Sequence, residues 1–133
     1  MRPRDEDSRR IAVIEDDDGL RGRLLAEFGQ SHETKGFASG GAFLLALDGL
    51  MPDLVVLDLD LPGFDGLEIA QRVRSHPRFR GVPIVFLTDS LSGDLDMSIG
   101  GQPAEVLTKP VDFDRLSLQV ERMLCAERSA LPA

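Results

Sequence analysis

The chain has 133 residues, of which 42% are hydrophobic and 29% are charged, and its formal net charge at pH 7 is -8. This length predicts one domain with a single core, because two ordinary domains need a longer chain. The negative charge makes nucleic acid and anionic membrane surfaces poor partners, since both are themselves negative. The only cysteine, Cys125, excludes an internal disulfide and is typical of a reducing compartment.

The amino-terminal stretch carries no recognisable targeting signal. Its first ten residues, MRPRDEDSRR, are charged throughout, and the apolar stretch IAVI that follows is far too short for a signal peptide. No apolar run reaches membrane-spanning length. We therefore expect a cytoplasmic protein.

Four short, mainly apolar runs predict β-strands, because runs of this length bounded by turn residues are typical of buried strands, and residues 33–37 predict a weaker strand. In chain order the predicted strands cover residues 11–14, 33–37, 54–57, 83–87 and 105–107. Amphipathic stretches separate them, and in the first of these Leu20, Leu24 and Phe28 recur at every fourth residue, as on one face of a helix. A final helix follows the fifth strand. The sequence thus predicts five βα units in one domain.

The helix of the fourth βα unit is predicted to be the weakest. Residues 91–103 read LSGDLDMSIGGQP, with Leu91, Leu95 and Ile99 at every fourth position. Gly93 costs about 1 kcal/mol relative to alanine inside a helix. Two further glycines and a proline are expected to end the helix early. We expect a short or partly melted helix in this region.

Alternating βα units predict a parallel sheet with helices on both faces, since right-handed crossovers place them there. Ligands in such sheets bind beyond the carboxyl ends of the strands. The polar residues that directly follow the apolar runs are therefore candidates for one shared site. They are Glu15, Asp16, Asp17, Asp58, Asp60, Thr88, Thr108 and Lys109.

The residue types in this set indicate metal-assisted phosphoryl chemistry. Crowded carboxylates repel one another, and a hard divalent cation such as Mg²⁺, which prefers oxygen ligands, relieves that repulsion. A carboxylate can also act as a nucleophile and form an aspartyl phosphate. Phosphoryl transfer then needs positioning and cationic or hydrogen-bonding groups around the phosphoryl oxygens. The Lys109 ammonium and the Thr88 hydroxyl are suited to that task.

Four segments, VIEDDD, PDLVVLDLDLPGFDGLE, VPIVFLTD and VLTKPVD, resemble the receiver domain of two-component response regulators in order and spacing, over residues 10–127. The resemblance implies a doubly wound, flavodoxin-like (βα)5 fold with five parallel strands in the order 2-1-3-4-5. It implies that Asp58 is the phosphoacceptor, that Thr88 hydrogen-bonds the phosphoryl group and that Lys109 pairs with it.

The same resemblance implies a Mg²⁺ site built from acidic residues. Asp16 and the phosphoacceptor Asp58 would bind the ion directly, and Glu15 mostly through water. The backbone carbonyl of Asp60 would be a further ligand. The resemblance also implies a cis peptide bond between Lys109 and Pro110, which proline tolerates in a tight turn.

The resemblance further implies a phosphoacceptor that assists its own phosphotransfer and dephosphorylation, and no enzyme in the ordinary sense. The donor would be a histidine kinase or a histidine phosphotransfer protein, and the signal would pass to an output domain or a target protein. A phosphorylation-dependent homodimer is a further candidate partner. We expect a flexible segment over residues 1–9, the receiver domain over 10–127 and a tail or linker over 128–133. Whether the receiver stands alone or was cut from a longer protein stays open.

A phosphatase of the haloacid dehalogenase type is one competing interpretation, because that family also places an Asp-x-Asp pattern after an apolar strand. Asp58 and Asp60 match this pattern. In that family, however, the nucleophile strand comes first, whereas here Glu15 and Asp16 precede Asp58. The order of the motifs excludes the phosphatase.

A degenerate receiver, acting as a phosphate-independent interaction module, is the stronger alternative. Three positions depart from the family pattern. Asp89 stands where relatives carry a small residue, Asp60 is an acid two positions after the phosphoacceptor, and Val106 replaces an aromatic residue that rotates during switching. None of the three removes a group that takes part in the chemistry, so a phosphorylatable receiver is preferred.

The remaining polar residues are predicted to have structural roles. Asp17 and Asp18 are expected to cap the first helix. His32 and His76 have no partner nearby in the sequence and are expected to be solvated. Cys125 is expected to lie on a helix face.

Overall fold

A computed structural model describes residues 8–61, 63, 66–89, 98–99 and 102–129. The first seven and last four residues of the chain, which belong to the predicted terminal segments, lie outside the described residues. So do residues 90–97, where most of the weak helix was predicted.

A mostly parallel sheet forms the centre of the molecule. Its strands are β1 (Arg10–Ile14), β2 (Glu33–Phe37), β3 (Leu54–Asp58), β4 (Ile84–Thr88), β5 (Ser98–Ile99) and β6 (Gln102–Thr108). They lie in the order β2-β1-β3-β4-β6-β5, and all pairings are parallel except that of β5 with β6. β6 is the fifth parallel strand along the chain, so the five parallel strands follow the predicted order 2-1-3-4-5. The predicted fold class is confirmed.

Helices cover both faces of this sheet. In the described part of the chain they are α1 (Asp18–Gly29), α2 (Gly40–Leu50), α3 (Gly66–Ser75) and α4 (Phe113–Ser129). The side chain of Asp17 accepts a hydrogen bond from the backbone N–H of Leu20, 3.0 Å away, so the predicted cap of the first helix is confirmed. None of the described helices is long and apolar enough to cross a membrane.

Alternate residues of the central strands pack into two separate cores, one on each face, because successive strand side chains point to opposite faces of the sheet. On one face α2 and α3 pack through Phe43, Leu47, Ile69, Ala70 and Val73. On the other face α1 and α4 pack through Leu24, Phe28, Leu116, Val120 and Leu124. All residues of β3 and β4 are buried, which explains why these strands read as continuous apolar runs.

The prediction that Ile99 belongs to a helix is wrong. Ser98 and Ile99 form the short strand β5, in which Ile99 pairs antiparallel with Gln102 and Ser98 with Pro103. The intervening sequence is Gly-Gly, which favours a two-residue hairpin connection over a helix. The antiparallel pairing outweighed the fourfold spacing of the apolar residues.

Both histidines have partners that the sequence did not indicate. His32 is 8% exposed; its Nδ1 accepts the backbone N–H of Arg9 at 3.0 Å, and its Nε2 lies 2.6 Å from a carboxylate oxygen of Glu121. His76 Nε2 lies 2.7 Å from a carboxylate oxygen of Asp48. The prediction of a solvated side chain is wrong for His32, which is buried, whereas His76 is only partly buried. The local sequence indicated neither partner, because both lie far away along the chain.

Candidate functional site

Four neighbouring strands end at the same edge of the sheet and bring the predicted site residues together. Strand β3 ends on Asp58 and β4 ends on Thr88, and Lys109 directly follows β6. Glu15 follows β1, and its backbone N–H donates to the carbonyl of Phe37 at 3.0 Å. Parallel pairing fixes this gathering, because it places the carboxyl ends of all these strands side by side.

Two buried carboxylates share one ammonium at the centre of this edge. Glu15 is 0% exposed and Asp58 is 1% exposed. Lys109 Nζ lies 2.9 Å from Oε1 of Glu15 and donates a hydrogen bond to Oδ2 of Asp58 at 3.2 Å. One cation therefore faces two anions that have little access to water, and the group carries a net negative charge when both acids are ionised.

The pKa values of Glu15 and Lys109 reflect this crowding. Burial and the neighbouring Asp58 raise the pKa of Glu15 from 4.5 to about 7, although hydrogen bonding to Lys109 acts in the opposite direction. For Lys109, burial alone would lower the pKa, but the hydrogen bonds and charges of Glu15 and Asp58 raise it above its ordinary value. Lys109 is thus held in its charged form.

The donor set of the site fits a hard divalent cation. Glu15, Asp16 and Asp58 each offer one carboxylate oxygen, and these three oxygens lie within 4.8 Å of one another. Oε1 of Glu15 is buried, and the Lys109 ammonium lies 2.9 Å from it. Three clustered carboxylates match the all-oxygen coordination that Mg²⁺ prefers.

The side chain of Asp60 lies next to Thr88 and Asp89, a placement that the sequence did not indicate. Its Oδ2 accepts a hydrogen bond from Thr88 Oγ1 at 3.3 Å and another from the backbone N–H of Asp89 at 3.1 Å. The backbone N–H of Asp60 donates to Oδ1 of Asp58 at 2.8 Å. The sequence did mark Asp60 and Asp89 as departures from the family pattern, and these two positions contact each other.

The turn after β6 positions the ammonium. The Lys109–Pro110 peptide bond is cis, as predicted, and the backbone N–H of Lys109 donates to the carbonyl of Thr88 at 2.8 Å. Thr108, which the sequence placed at the same edge, is exposed. Val106 is half-buried and packs against the core formed with α2 and α3.

Gly66, the first residue of α3, lies against the end of the strand that carries Asp58, and the sequence reasoning missed it. A Cβ atom at this position would lie 2.8 Å from the carbonyl oxygen of Asp58 and 2.8 Å from Cα of Leu59. Both atoms belong to the backbone, which cannot move aside as a flexible side chain can. The absence of a side chain at Gly66 thus allows α3 to pack closely against the end of β3.

Gly66→Ala is expected to destabilise the protein by about 1–3 kcal/mol, because overpacking forces the backbone to shift. Gly22→Ala in α1 is the matched control, since a Cβ there meets nothing within 4 Å. It is expected to be neutral or to stabilise by up to about 1 kcal/mol, because alanine is the better helix former. Urea unfolding of both variants measures the difference. Equal stability of the two variants would contradict the close approach at Gly66.

The chain is similar to a known protein family and to several of its members. The family model described as response regulator receiver domain matches residues 11–121. The chain is 36% identical over 117 residues to the transcriptional regulatory protein AfsQ1 of Streptomyces coelicolor, covering 86% of this chain and 50% of that protein. The first curated relatives are longer proteins, and this chain spans 50%, 49% and 26% of their lengths.

Solved structures give the same comparison at the level of the fold. The BeF3-activated DrrB receiver domain has a TM-score of 0.72 and is 30% identical, covering 88% of this chain and 97% of that one. The chemotaxis response regulator CheY4 of Vibrio cholerae has a TM-score of 0.79 at 20% identity, covering 87% of this chain and 98% of that one. At that identity, CheY4 supports the fold alone.

Proposed function

The chain belongs to the response regulator receiver domain family, and we propose on this basis that Asp58 accepts a phosphoryl group in a Mg²⁺-dependent reaction. The observation that carries the proposal is the buried Asp58 carboxylate at the end of β3, with Lys109 Nζ 3.2 Å away. The acidic oxygens of Glu15 and Asp16 lie beside it. A buried carboxylate, a cation and two further acidic side chains in one small volume thus support the proposal.

In the proposed reaction a carboxylate oxygen of Asp58 attacks the phosphorus of a phosphohistidine. The new P–O bond forms as the P–N bond breaks, and the imidazole leaves with the bonding electrons and takes up a proton. Lys109 pairs with the phosphoryl oxygens, and the Thr88 hydroxyl donates a hydrogen bond to them. Held by Glu15, Asp16, Asp58 and the Asp60 carbonyl, Mg²⁺ would neutralise negative charge on the acceptor and on the transferred group.

The proposed phosphoryl donor is a histidine kinase or a histidine phosphotransfer protein. The proposed recipient of the signal is an output domain or a target protein, or a second copy of the chain in a phosphorylation-dependent homodimer. AfsQ1 is named a transcriptional regulatory protein, and this chain spans half of its length. We assign no direct nucleic-acid binding to the receiver, because its net charge is -8.

Incubation with acetyl phosphate and millimolar Mg²⁺ is expected to add one phosphoryl group to the intact protein, measured by mass spectrometry. Asp58→Asn is expected to abolish the adduct, because the amide is not a competent nucleophile. Asp114→Asn, which changes an exposed acid on α4, is the control and is expected to keep it. Chelation of Mg²⁺ is expected to suppress the adduct.

Absence of an adduct on the unmodified protein in the presence of Mg²⁺ would contradict the proposal and favour a phosphate-independent interaction module. An adduct that persists in Asp58→Asn would show that another residue is the acceptor.

A further inference from the structure

The carboxylate of Asp60 lies where two hydrogen-bond donors converge, as they do in an anion-binding site. One of its oxygens, Oδ2, accepts two hydrogen bonds, from the Thr88 hydroxyl at 3.3 Å and from the Asp89 backbone N–H at 3.1 Å. Both donors stand at the carboxyl end of β4, which pairs directly with the strand that carries Asp58. Two donors that converge on one anionic oxygen beside the acceptor form a small oxyanion cradle.

We propose that the Asp60 carboxylate is an internal occupant of this cradle and competes with the incoming phosphoryl group for Thr88 and Asp89. The inference rests on the proposed function, in which the Thr88 hydroxyl donates to a phosphoryl oxygen. That hydroxyl cannot donate its single proton to Asp60 and to a phosphoryl oxygen at once. Phosphorylation therefore requires Asp60 to release the cradle, and Asp60 is a positioning residue that sets the rate of this step.

The chemical step itself balances without Asp60. With acetyl phosphate as donor, a carboxylate oxygen of Asp58 forms a bond to phosphorus, the bond from phosphorus to the acyl oxygen breaks, and acetate leaves with the electron pair. Asp60 stays ionised throughout and only exchanges its hydrogen-bond donors. The Asp60 side chain can turn away, since it is exposed to solvent. The contact of Asp60 with Oδ1 of Asp58 is made by its backbone N–H and does not depend on the side chain.

Asp60 could also slow phosphorylation by charge repulsion of the incoming phosphoryl group. Three variants distinguish repulsion from occupation of the cradle. Asp60→Ala removes the occupant, and Asp60→Asn keeps an oxygen that accepts both hydrogen bonds but removes the charge. Asp89→Ala removes one negative charge from the same edge and keeps the backbone N–H, which is the only atom of Asp89 in the cradle. Occupation predicts a ranked effect, whereas repulsion predicts that all three variants behave alike.

The experiment measures the rate of phosphorylation by acetyl phosphate and, independently, the apparent affinity for beryllofluoride with Mg²⁺. We expect Asp60→Ala to raise both by about tenfold, because charge-assisted hydrogen bonds no longer oppose the entering group. Asp60→Asn is expected to give about a threefold rise, since neutral hydrogen bonds are roughly half as strong. Asp89→Ala is expected to raise either quantity less than Asp60→Asn does, because the backbone N–H of residue 89 and the Asp60 carboxylate that occupies the cradle both remain. The amide resonance of Asp89 is expected to shift in unphosphorylated Asp60→Ala.

An equal rise in Asp60→Ala and Asp89→Ala would overturn the inference in favour of charge repulsion. An unchanged or slower reaction in Asp60→Ala, with the unmodified protein still taking up phosphate, would also overturn it and leave the proposed function intact. Failure of all four proteins to take up phosphate would instead overturn the proposed function, and the inference with it.

Discussion

Lys109→Met is expected to destabilise the metal-free protein by about 3–5 kcal/mol at about pH 8, because removing one partner of a buried ion pair leaves an uncompensated charge. Here the ammonium serves two carboxylates, Glu15 at 2.9 Å and Asp58 at 3.2 Å, and both are almost wholly buried. Methionine keeps the length and apolar character of the stem and removes the charge. Urea unfolding in chelator measures the loss.

This loss is expected to shrink as the pH falls. The carboxyl of Glu15 has a pKa of about 7 in the folded protein and 4.5 in the unfolded chain. Between these two values the folded state binds more protons than the unfolded state, so stability rises as the pH is lowered through this window. Removing Lys109 takes away a group that lowers the pKa of Glu15. Protonation of Glu15 should therefore relieve much of the destabilisation at about pH 5.5.

Two control variants identify the source of the effect. Lys35→Met removes the charge of an exposed lysine on β2 and is expected to change stability by less than about 0.5 kcal/mol. The double variant Glu15→Gln/Lys109→Met is expected to recover part of the loss, because it leaves one buried carboxylate in place of two. A loss that is independent of pH and unaffected by Glu15→Gln would show that Lys109 acts by packing.

The fold could be predicted from the sequence because the central parallel strands are clear apolar runs, although the edge strand β2 gives a weaker signal. Strands β3 and β4 are buried on both faces, so every position is apolar until the functional residue at the end, Asp58 or Thr88. The helices supply the complementary signal, since Leu24 and Phe28 lie on the buried face of α1. Once the strands are placed, the gathering of Glu15, Asp58 and Lys109 follows from parallel pairing.

What the sequence did not indicate depends on contacts between distant segments. The partner of His32 is Glu121, on the last helix, and no local pattern connects the two residues. The short strand at Ser98–Ile99 depends on pairing with Gln102 and Pro103, which competes with a helical spacing. The direction of the Asp60 side chain depends on where β4 ends, since its donors are Thr88 and Asp89. In each case the neighbour of the residue is determined by tertiary packing, which no local sequence pattern indicates.

Mg²⁺ is expected to stabilise the protein by about 2.7 kcal/mol when its concentration is a hundredfold above the dissociation constant, by mass action on the folded state. The physical reason lies in the three carboxylate oxygens of Glu15, Asp16 and Asp58, which lie within 4.8 Å of one another with one ammonium nearby. The attraction of each carboxylate to a bound divalent cation would offset the repulsion among the carboxylates. The melting temperature measured with Mg²⁺ and with chelator gives the shift.

The dependence on residue and on pH distinguishes this site from a general salt effect. Asp16→Asn is expected to reduce the Mg²⁺ shift, whereas Asp18→Asn, which changes an exposed acid in the first turn of α1, is expected to preserve it. The shift should also be smaller at about pH 5.5 than at about pH 8, because a metal ligand must be deprotonated and a proton on Glu15 competes with the ion. Identical melting with Mg²⁺ and with chelator, or equal shifts in the two variants, would contradict a metal site formed by these three acids. A shift confined to the proteins that keep Asp16 would instead show that the cation binds at the carboxylates beside Asp58.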